Sequence, residues 1–278
     1  MSENFKKIIN EINNKNYKKA LQLCEGYSEK NDLYILNNLK GIIYINLNNI
    51  NGAIEQFKKS IKNKKDYIEA YSNLANAYFS NKNFSESIKI ITTALKYDPN
   101  NLKLNFNFAF FLGENHQYQK AIKQYYDTIK LGYNKEIILN NIGNIYIKEK
   151  NYLKAEEYFK ECLKINSSNY LTINNLIRSL ILKRDFPKAE KYQKKSDKLK
   201  LKNNIYYINK AELLFFSKKY EEAKNILKDF CKKNKNDIGS HISLSSIYSS
   251  LGDFNSSFDL IEQVYNVNPK HNSLQLIH

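Results

Sequence analysis

The sequence predicts an all-α protein, a solenoid of antiparallel helix hairpins, and three observations lead to that class. An aromatic or large aliphatic residue stands three positions before a small one at Tyr17 and Ala20, Ile50 and Ala53, Phe84 and Ser87, Tyr118 and Ala121. The series continues with Tyr152 and Ala155, Phe186 and Ala189, Tyr220 and Ala223, Phe254 and Ser257; its first step is 33 residues and the other six are 34. Further columns of small, aromatic and proline residues keep the same phase, which marks stacked repeats rather than one globular core. Only three prolines and eight glycines occur in 278 residues, too few for a turn-rich β architecture.

The elements follow in order along each repeat. Twelve residues before the signature small residue stand Gly41, Ala75, Ala109, Gly143, Ile177, Ala211 and Ser245, and nine before it Tyr44, Tyr78, Leu112, Tyr146, Leu180, Leu214 and Tyr248. That spacing places both columns on one face of a first helix. A short turn comes next, and its last residue is Asn16, Asn49, Asn83, Asn151, Asp185 or Asp253, each able to cap the free amides of a second helix. On that helix Phe57, Ile91, Tyr125, Phe159, Leu227 and Ile261 follow the small residue by four. Small residues let the paired backbones approach, and the aromatic columns fill the space beside them. Pro187 falls in the first turn of its helix, where it is tolerated; Pro99 and Pro269 lie where a second helix must stop.

These columns resemble the tetratricopeptide repeat family, whose unit is a 34-residue helix hairpin with Gly or Ala, Tyr, Ala, Phe and Pro at these spacings. The resemblance implies a right-handed α-α superhelix: a single solenoid over 1–269, in eight repeats starting near 1, 34, 68, 102, 136, 170, 204 and 238, with 270–278 a short tail or stub helix. Repeat one departs from the pattern, with Ile8 and Glu11 at the small and aromatic sites, and is expected to act as an end cap. Repeat six carries Ile177 and Gln193 at its small and aromatic sites, which points to looser packing or a bend. The turn position that often carries glycine in the family is Lys15, Asn48, Lys82, His116, Lys150, Arg184 and Lys218 here, with Gly252 conforming. A left-handed backbone there would be strained.

The formal charge of +16 raises nucleic acid or an anionic surface as partner. The basic residues are dispersed as singles and as doublets such as Lys18-Lys19, Lys58-Lys59 and Lys232-Lys233, which reads as a solvated face rather than a binding stripe. Cys24, Cys162 and Cys231 sit at helical core positions, and their number and separation suit buried thiols in a reducing compartment. With no apolar leader and no run long enough for a membrane span, a cytoplasmic location is expected. His116, His241, His271 and His278 are scattered, and no phosphate loop, paired-cysteine zinc spacing or nucleophile elbow occurs. No enzyme activity, cofactor or metal is expected.

Fourteen residues before the signature small residue, repeats three to seven carry Asn73, Asn107, Asn141, Asn175 and Asn209. In the family the first helices line the concave side, so one residue per repeat at a fixed phase forms a row along the groove. An amide offers two donors and an acceptor, matching a peptide backbone whatever its side chains. The row resembles the asparagine ladder of O-linked N-acetylglucosamine transferases, without a catalytic domain following it. Neighbouring phases carry Asn76, Phe106, Phe110, Asn140, Asn144, Asn174, Arg178, Phe79, Ile147, Phe215 and Phe216, of which Asn76, Asn144 and Arg178 join the candidate peptide-binding set. The aromatics equally suit packing between helices. A cochaperone-type clamp for a terminal carboxylate lacks its cations, because the corresponding positions are Ile137 with Asn141 and Ile205 with Asn209.

The expected function is therefore a non-catalytic protein–protein interaction scaffold, with another protein or a peptide segment in its groove. Two alternatives remain at this point: a basic helical-repeat RNA-binding protein, and the substrate-recruiting arm of a glycosyl- or sulfotransferase system.

Overall fold

The computed structural model describes residues 3–27 and 32–267, so Pro269 and the expected tail at 270–278 lie outside the described residues. The helices fall into two compact units, divided between Asn134 and Lys135. The first unit holds α1 (Glu3–Asn13), α2 (Tyr17–Glu25), α3 (Leu33–Asn46), α4 (Ile50–Asn63), α5 (Ile68–Ser80), α6 (Phe84–Ala94), α7 (Leu102–Glu114) and α8 (Tyr118–Lys130). The second holds α9 (Lys135–Lys148), α10 (Tyr152–Ile165), α11 (Tyr170–Leu182), α12 (Phe186–Asp197), α13 (Asn204–Phe216), α14 (Tyr220–Lys233), α15 (Ile238–Ser250) and α16 (Phe254–Val267). Within each unit every odd-numbered helix packs on the even one that follows, and that helix on the next odd one, as the repeat predicts. The odd helices begin within two residues of the expected repeat starts.

Each hairpin turn is closed in the same way. The first residue of the helical spacing outside the left-handed position returns its amide five residues back, as in Asn49 to the Tyr44 carbonyl (2.8 Å), Asn83 to Tyr78 (2.9 Å) and Asn151 to Tyr146 (2.9 Å). The preceding residue must then take positive φ: Lys15 (61°), Asn48 (59°), Lys82 (58°), His116 (58°), Lys150 (59°), Arg184 (63°) and Lys218 (61°) all do, alongside Gly252 (81°). The strain expected from sequence is present at all seven non-glycine positions.

Capping follows the expectation at four of six second helices. Asn49, Asn83, Asn151 and Asp253 accept from the amides of Gly52, Glu86, Lys154 and Ser256. Asn16 and Asp185 do not cap. The Asn16 side-chain nitrogen donates to Glu11 (2.8 Å), which draws that side chain toward the carboxylate, and the Asp185 carboxylate accepts from the Lys188 ammonium (2.8 Å), a charged donor stronger than a backbone amide. A second row of caps opens the first helices: Asn101, Asn169, Asn203 and Asp237 accept from Leu104, Thr172, Tyr206 and Ser240, again at the repeat period.

The small sites are explained by ring packing. A Cβ added at Gly41 would lie 2.3 Å from the Phe57 ring, and one at Gly143 would lie 2.5 Å from Phe159. Glycine on the first helix therefore makes room for a phenylalanine on the second. Where the partner is smaller, alanine suffices: Ala75 shares a core with Ile91, and Ala211 with Leu227. Repeat six reverses the distribution, with Ile177 fully buried and Gln193 in place of the ring. The Gln193 amide nitrogen reaches Asp197 (3.2 Å), while its oxygen is buried with no partner among the described residues.

In the first hairpin α1 buries Phe5 and Ile8 and leaves Lys6, Lys7 and Asn10 exposed, the one-sided helix expected of a cap. In the second unit a buried carboxylate ties hairpins together. Glu156 on α10 accepts from Lys160 (2.6 Å) and from Lys183 beyond α11 (2.9 Å). Burial pushes its carboxyl up, but the two ammonium hydrogen bonds outweigh it and hold the group below the ordinary range. Its stabilising contribution is thus present above the unfolded-state carboxyl pKa and is lost as pH falls through the lower folded value. Glu156→Gln is expected to lose about 1–2 kcal/mol in urea unfolding at pH 7, discounted for the partly exposed lysines, and the gap to wild type should close at acidic pH.

Candidate functional site

On each first helix four residues at i, i+4, i+7 and i+11 share a face turned away from the partner second helix. In α13 that partner-facing side is Ile208, Ala211 and Leu214, packed with Ala223 and Leu227 of α14. The other face carries Ile205, Asn209, Glu212 and Phe216. The same phase gives Ile137, Asn141, Asn144 and Lys148 in α9, Leu171, Asn175, Arg178 and Leu182 in α11, and Gly239, Ser243, Ser246 and Ser250 in α15. In the first unit it gives Glu69, Asn73, Asn76 and Ser80 in α5, and Lys103, Asn107, Phe110 and Glu114 in α7. These faces keep apolar side chains in water: Ile137 is 43% exposed, Leu171 53%, Leu182 41% and Phe216 49%.

The five asparagines of the expected row are not equivalent. Asn73 donates to Asn38 (2.9 Å), Asn175 to Asn140 (3.1 Å) and Asn209 to the Asn174 carbonyl (2.9 Å), so these amides bridge consecutive first helices. Asn141 donates to the Ile137 carbonyl one turn back (2.8 Å). Asn107 makes no hydrogen bond or ion pair among the described residues. Asn73, Asn107, Asn141 and Asn175 remain half-buried, with surface left to offer. Asn209 is fully buried, and its assignment as a peptide contact is corrected: its phase is covered by the packing of α13 on α11, and it serves as an inter-helix strut. Its oxygen is buried with no partner among the described residues. Asn76 and Arg178 are exposed and Asn144 is half-exposed, none of them hydrogen-bonded among the described residues.

The aromatics divide similarly. Phe79 stacks on Phe111 (4.9 Å) and lies 5.3 Å from both Phe84 and Phe110, while Phe106 stacks on Tyr133 (4.8 Å). Phe215 meets Tyr220 across its own hairpin (5.1 Å). These rings pack between helices. Phe216 stacks on Phe186 (4.6 Å) yet keeps its other surface open.

Glu212 stands apart. Burial pushes its carboxyl above the usual range despite the nearby Arg178 guanidinium, and neither residue makes a hydrogen bond or ion pair among the described residues. From the sequence Arg178 is expected in the groove, with no link drawn to Glu212. The signal was available, since they occupy the same column 34 residues apart. The three cysteines are free and buried, and burial raises Cys24 to about 11 and Cys231 to about 12, so neither is a thiolate at neutral pH. Among the described residues no three His, Cys, Asp or Glu side chains converge as a metal site, and no helix is long and apolar enough to cross a membrane.

Comparison with known proteins agrees with the hairpin architecture. Family profiles described as tetratricopeptide repeat match residues 68–101, 137–169, 90–123 and 238–271, and one described as TPR repeat matches 41–82. The chain is 30% identical over 88 residues to the chloroplastic tetratricopeptide repeat domain-containing protein PYG7 of Arabidopsis thaliana, a match spanning 32% of this chain and 29% of that protein. A tetratricopeptide repeat protein from Parabacteroides merdae superposes with a TM-score of 0.71 at 15% identity, over 88% of this chain and 97% of that one. Yeast Tom70 superposes at 0.72 with 21% identity over 94% and 56% of the two chains. The quorum sensor NprR of B. thuringiensis does so at 0.68 with 18% identity over 91% and 81%. At these identities the structural likeness concerns the fold.

Proposed function

Because this chain belongs to the tetratricopeptide repeat family, we propose that it is a non-catalytic protein–protein interaction scaffold that holds an extended polypeptide in the concave groove lined by its first helices. The observation that carries this reading is the mixed face of α9 and α11. There the half-exposed amides of Asn141, Asn144 and Asn175 lie between exposed Ile137, Leu171 and Leu182. Such a face can hydrogen-bond a backbone and cover apolar side chains of an extended segment together. In the first unit Asn73, Asn76 and Asn107 supply the corresponding amides.

The test is peptide capture by the intact chain from a random display library, followed by fluorescence anisotropy with an enriched peptide. A folded Asn141→Ala, Asn144→Ala, Asn175→Ala variant is expected to bind about tenfold more weakly, the combined loss of several hydrogen bonds at roughly 0.5–1.5 kcal/mol each. Binding should change little with salt, and mixed-sequence single-stranded RNA should not compete. Competition by RNA with an affinity that falls steeply with salt, indifferent to the three substitutions, would replace this reading by the basic RNA-binding one.

A further inference from the structure

Arg178 and Glu212 occupy the same phase of consecutive first helices in the second unit, each flanked on its own helix by apolar residues: Leu171 and Leu182 around Arg178, Ile205 and Phe216 around Glu212. Several carboxylates of this chain are met by a lysine three or four residues away, as in Glu55 with Lys59, Glu156 with Lys160 and Glu221 with Lys224. Glu212 has none: its neighbours at those spacings are Ile208, Asn209, Phe215 and Phe216. Around Arg178 they are Asn174, Asn175, Ile181 and Leu182. The two charges are close enough to feel one another, yet they do not pair. A carboxylate drawn partly out of water with no hydrogen-bond partner is unfavourable unless something supplies a cation. In a chain with 44 basic and 28 acidic residues, leaving this one unpaired is not a matter of cation shortage.

Resting on the groove reading above, we infer that Arg178 and Glu212 form a two-charge register site, selecting polypeptides that carry an acidic side chain for Arg178 and a basic one for Glu212. Their spacing on the ligand follows from geometry. Helices α11 and α13 are in direct contact through Asn209 and the Asn174 carbonyl (2.9 Å), so their axes lie roughly 8–10 Å apart. An extended chain advances about 3.3 Å per residue, which sets the two ligand charges about three residues apart. Glu212, half-buried, gains more from its contact than a solvent-exposed carboxylate would, while Arg178 is exposed and contributes chiefly charge selection. The opposite signs also give the ligand a direction along the groove, which the amides alone do not impose.

The experiment selects a random peptide display library against the intact chain in four forms: wild type, Arg178→Glu, Glu212→Lys, and the double reversal. Circular dichroism verifies that each is folded. Wild type is expected to enrich an acidic and a basic residue about three apart, in one fixed order, with apolar residues beside them. Each single reversal should weaken the best wild-type peptide at least tenfold, and the double reversal should enrich the opposite order. Enriched peptides without the charge pair, bound within twofold by all four forms, would overturn this inference and leave the groove reading standing. No enrichment by wild type above the Asn141→Ala, Asn144→Ala, Asn175→Ala variant would overturn both.

Discussion

Gly143→Ala should destabilise the protein by about 2–3 kcal/mol, the upper part of the range for forcing a methyl into a filled core, and lower the midpoint of thermal unfolding by roughly 5–10 °C. The added Cβ would sit 2.5 Å from the Phe159 ring, closer than carbon atoms approach, and that ring is fully buried and has nowhere to retreat. Two companions separate this clash from a general intolerance of alanine. Gly239→Ala, on an exposed first turn where the nearest atom would be 3.8 Å away, should be neutral or stabilise by up to about 1 kcal/mol. Adding Phe159→Leu to Gly143→Ala should recover part of the loss, so that the two changes together are less damaging than their sum. A simple sum would mean that the ring and the glycine do not set each other's size.

The opposite sign is expected at the hairpin turns. Lys150→Gly, Arg184→Gly and Lys218→Gly each replace a side chain held at φ near +60°, where an L-residue with a Cβ is less stable by roughly 1–2 kcal/mol. Part of that gain is returned as the greater entropy of glycine in the unfolded chain, leaving about 0.5–1 kcal/mol per turn and about 1.5–3 kcal/mol for the triple change. Alanine at the same positions removes the charge but keeps the strain, and should leave stability nearly unchanged. Urea unfolding of the glycine and alanine series compares the two; an equal gain from alanine would assign the effect to charge repulsion and not to the backbone.

The order and pairing of the helices were legible from the sequence because the repeat period carries them. A small residue three positions after an aromatic, recurring every 34 residues, can be satisfied only by a stack of like hairpins, and the turn residues at the same period locate the left-handed position inside each hairpin from Lys15 to Gly252, with Gly132 left-handed outside that period. The caps were half legible. Asn49 and Asn83 behave as the pattern says, while Asn16 and Asp185 turn to Glu11 and Lys188, charged groups whose reach a linear pattern does not reveal.

The candidate site was legible as a phase but not as a surface. Asn107 and Asn209 stand in the same column, yet Asn107 is half-exposed with its amide uncommitted, and Asn209 is fully buried on the carbonyl of Asn174. Likewise Phe79 and Phe216 look alike as aromatics near the end of a first helix, but one is stacked among three other rings and the other is 49% exposed. What the amino-acid sequence determined by itself is the repeat: hairpin length, turn conformation and the matched sizes of Gly143 and Phe159, all set by contacts within one hairpin. What only the tertiary structure decided is which residues of the shared phase stay accessible, and that Arg178 and Glu212 come near each other without pairing. Those outcomes depend on how closely each first helix packs on the next, a balance of side-chain volumes spread over two repeats that no single column of the sequence contains.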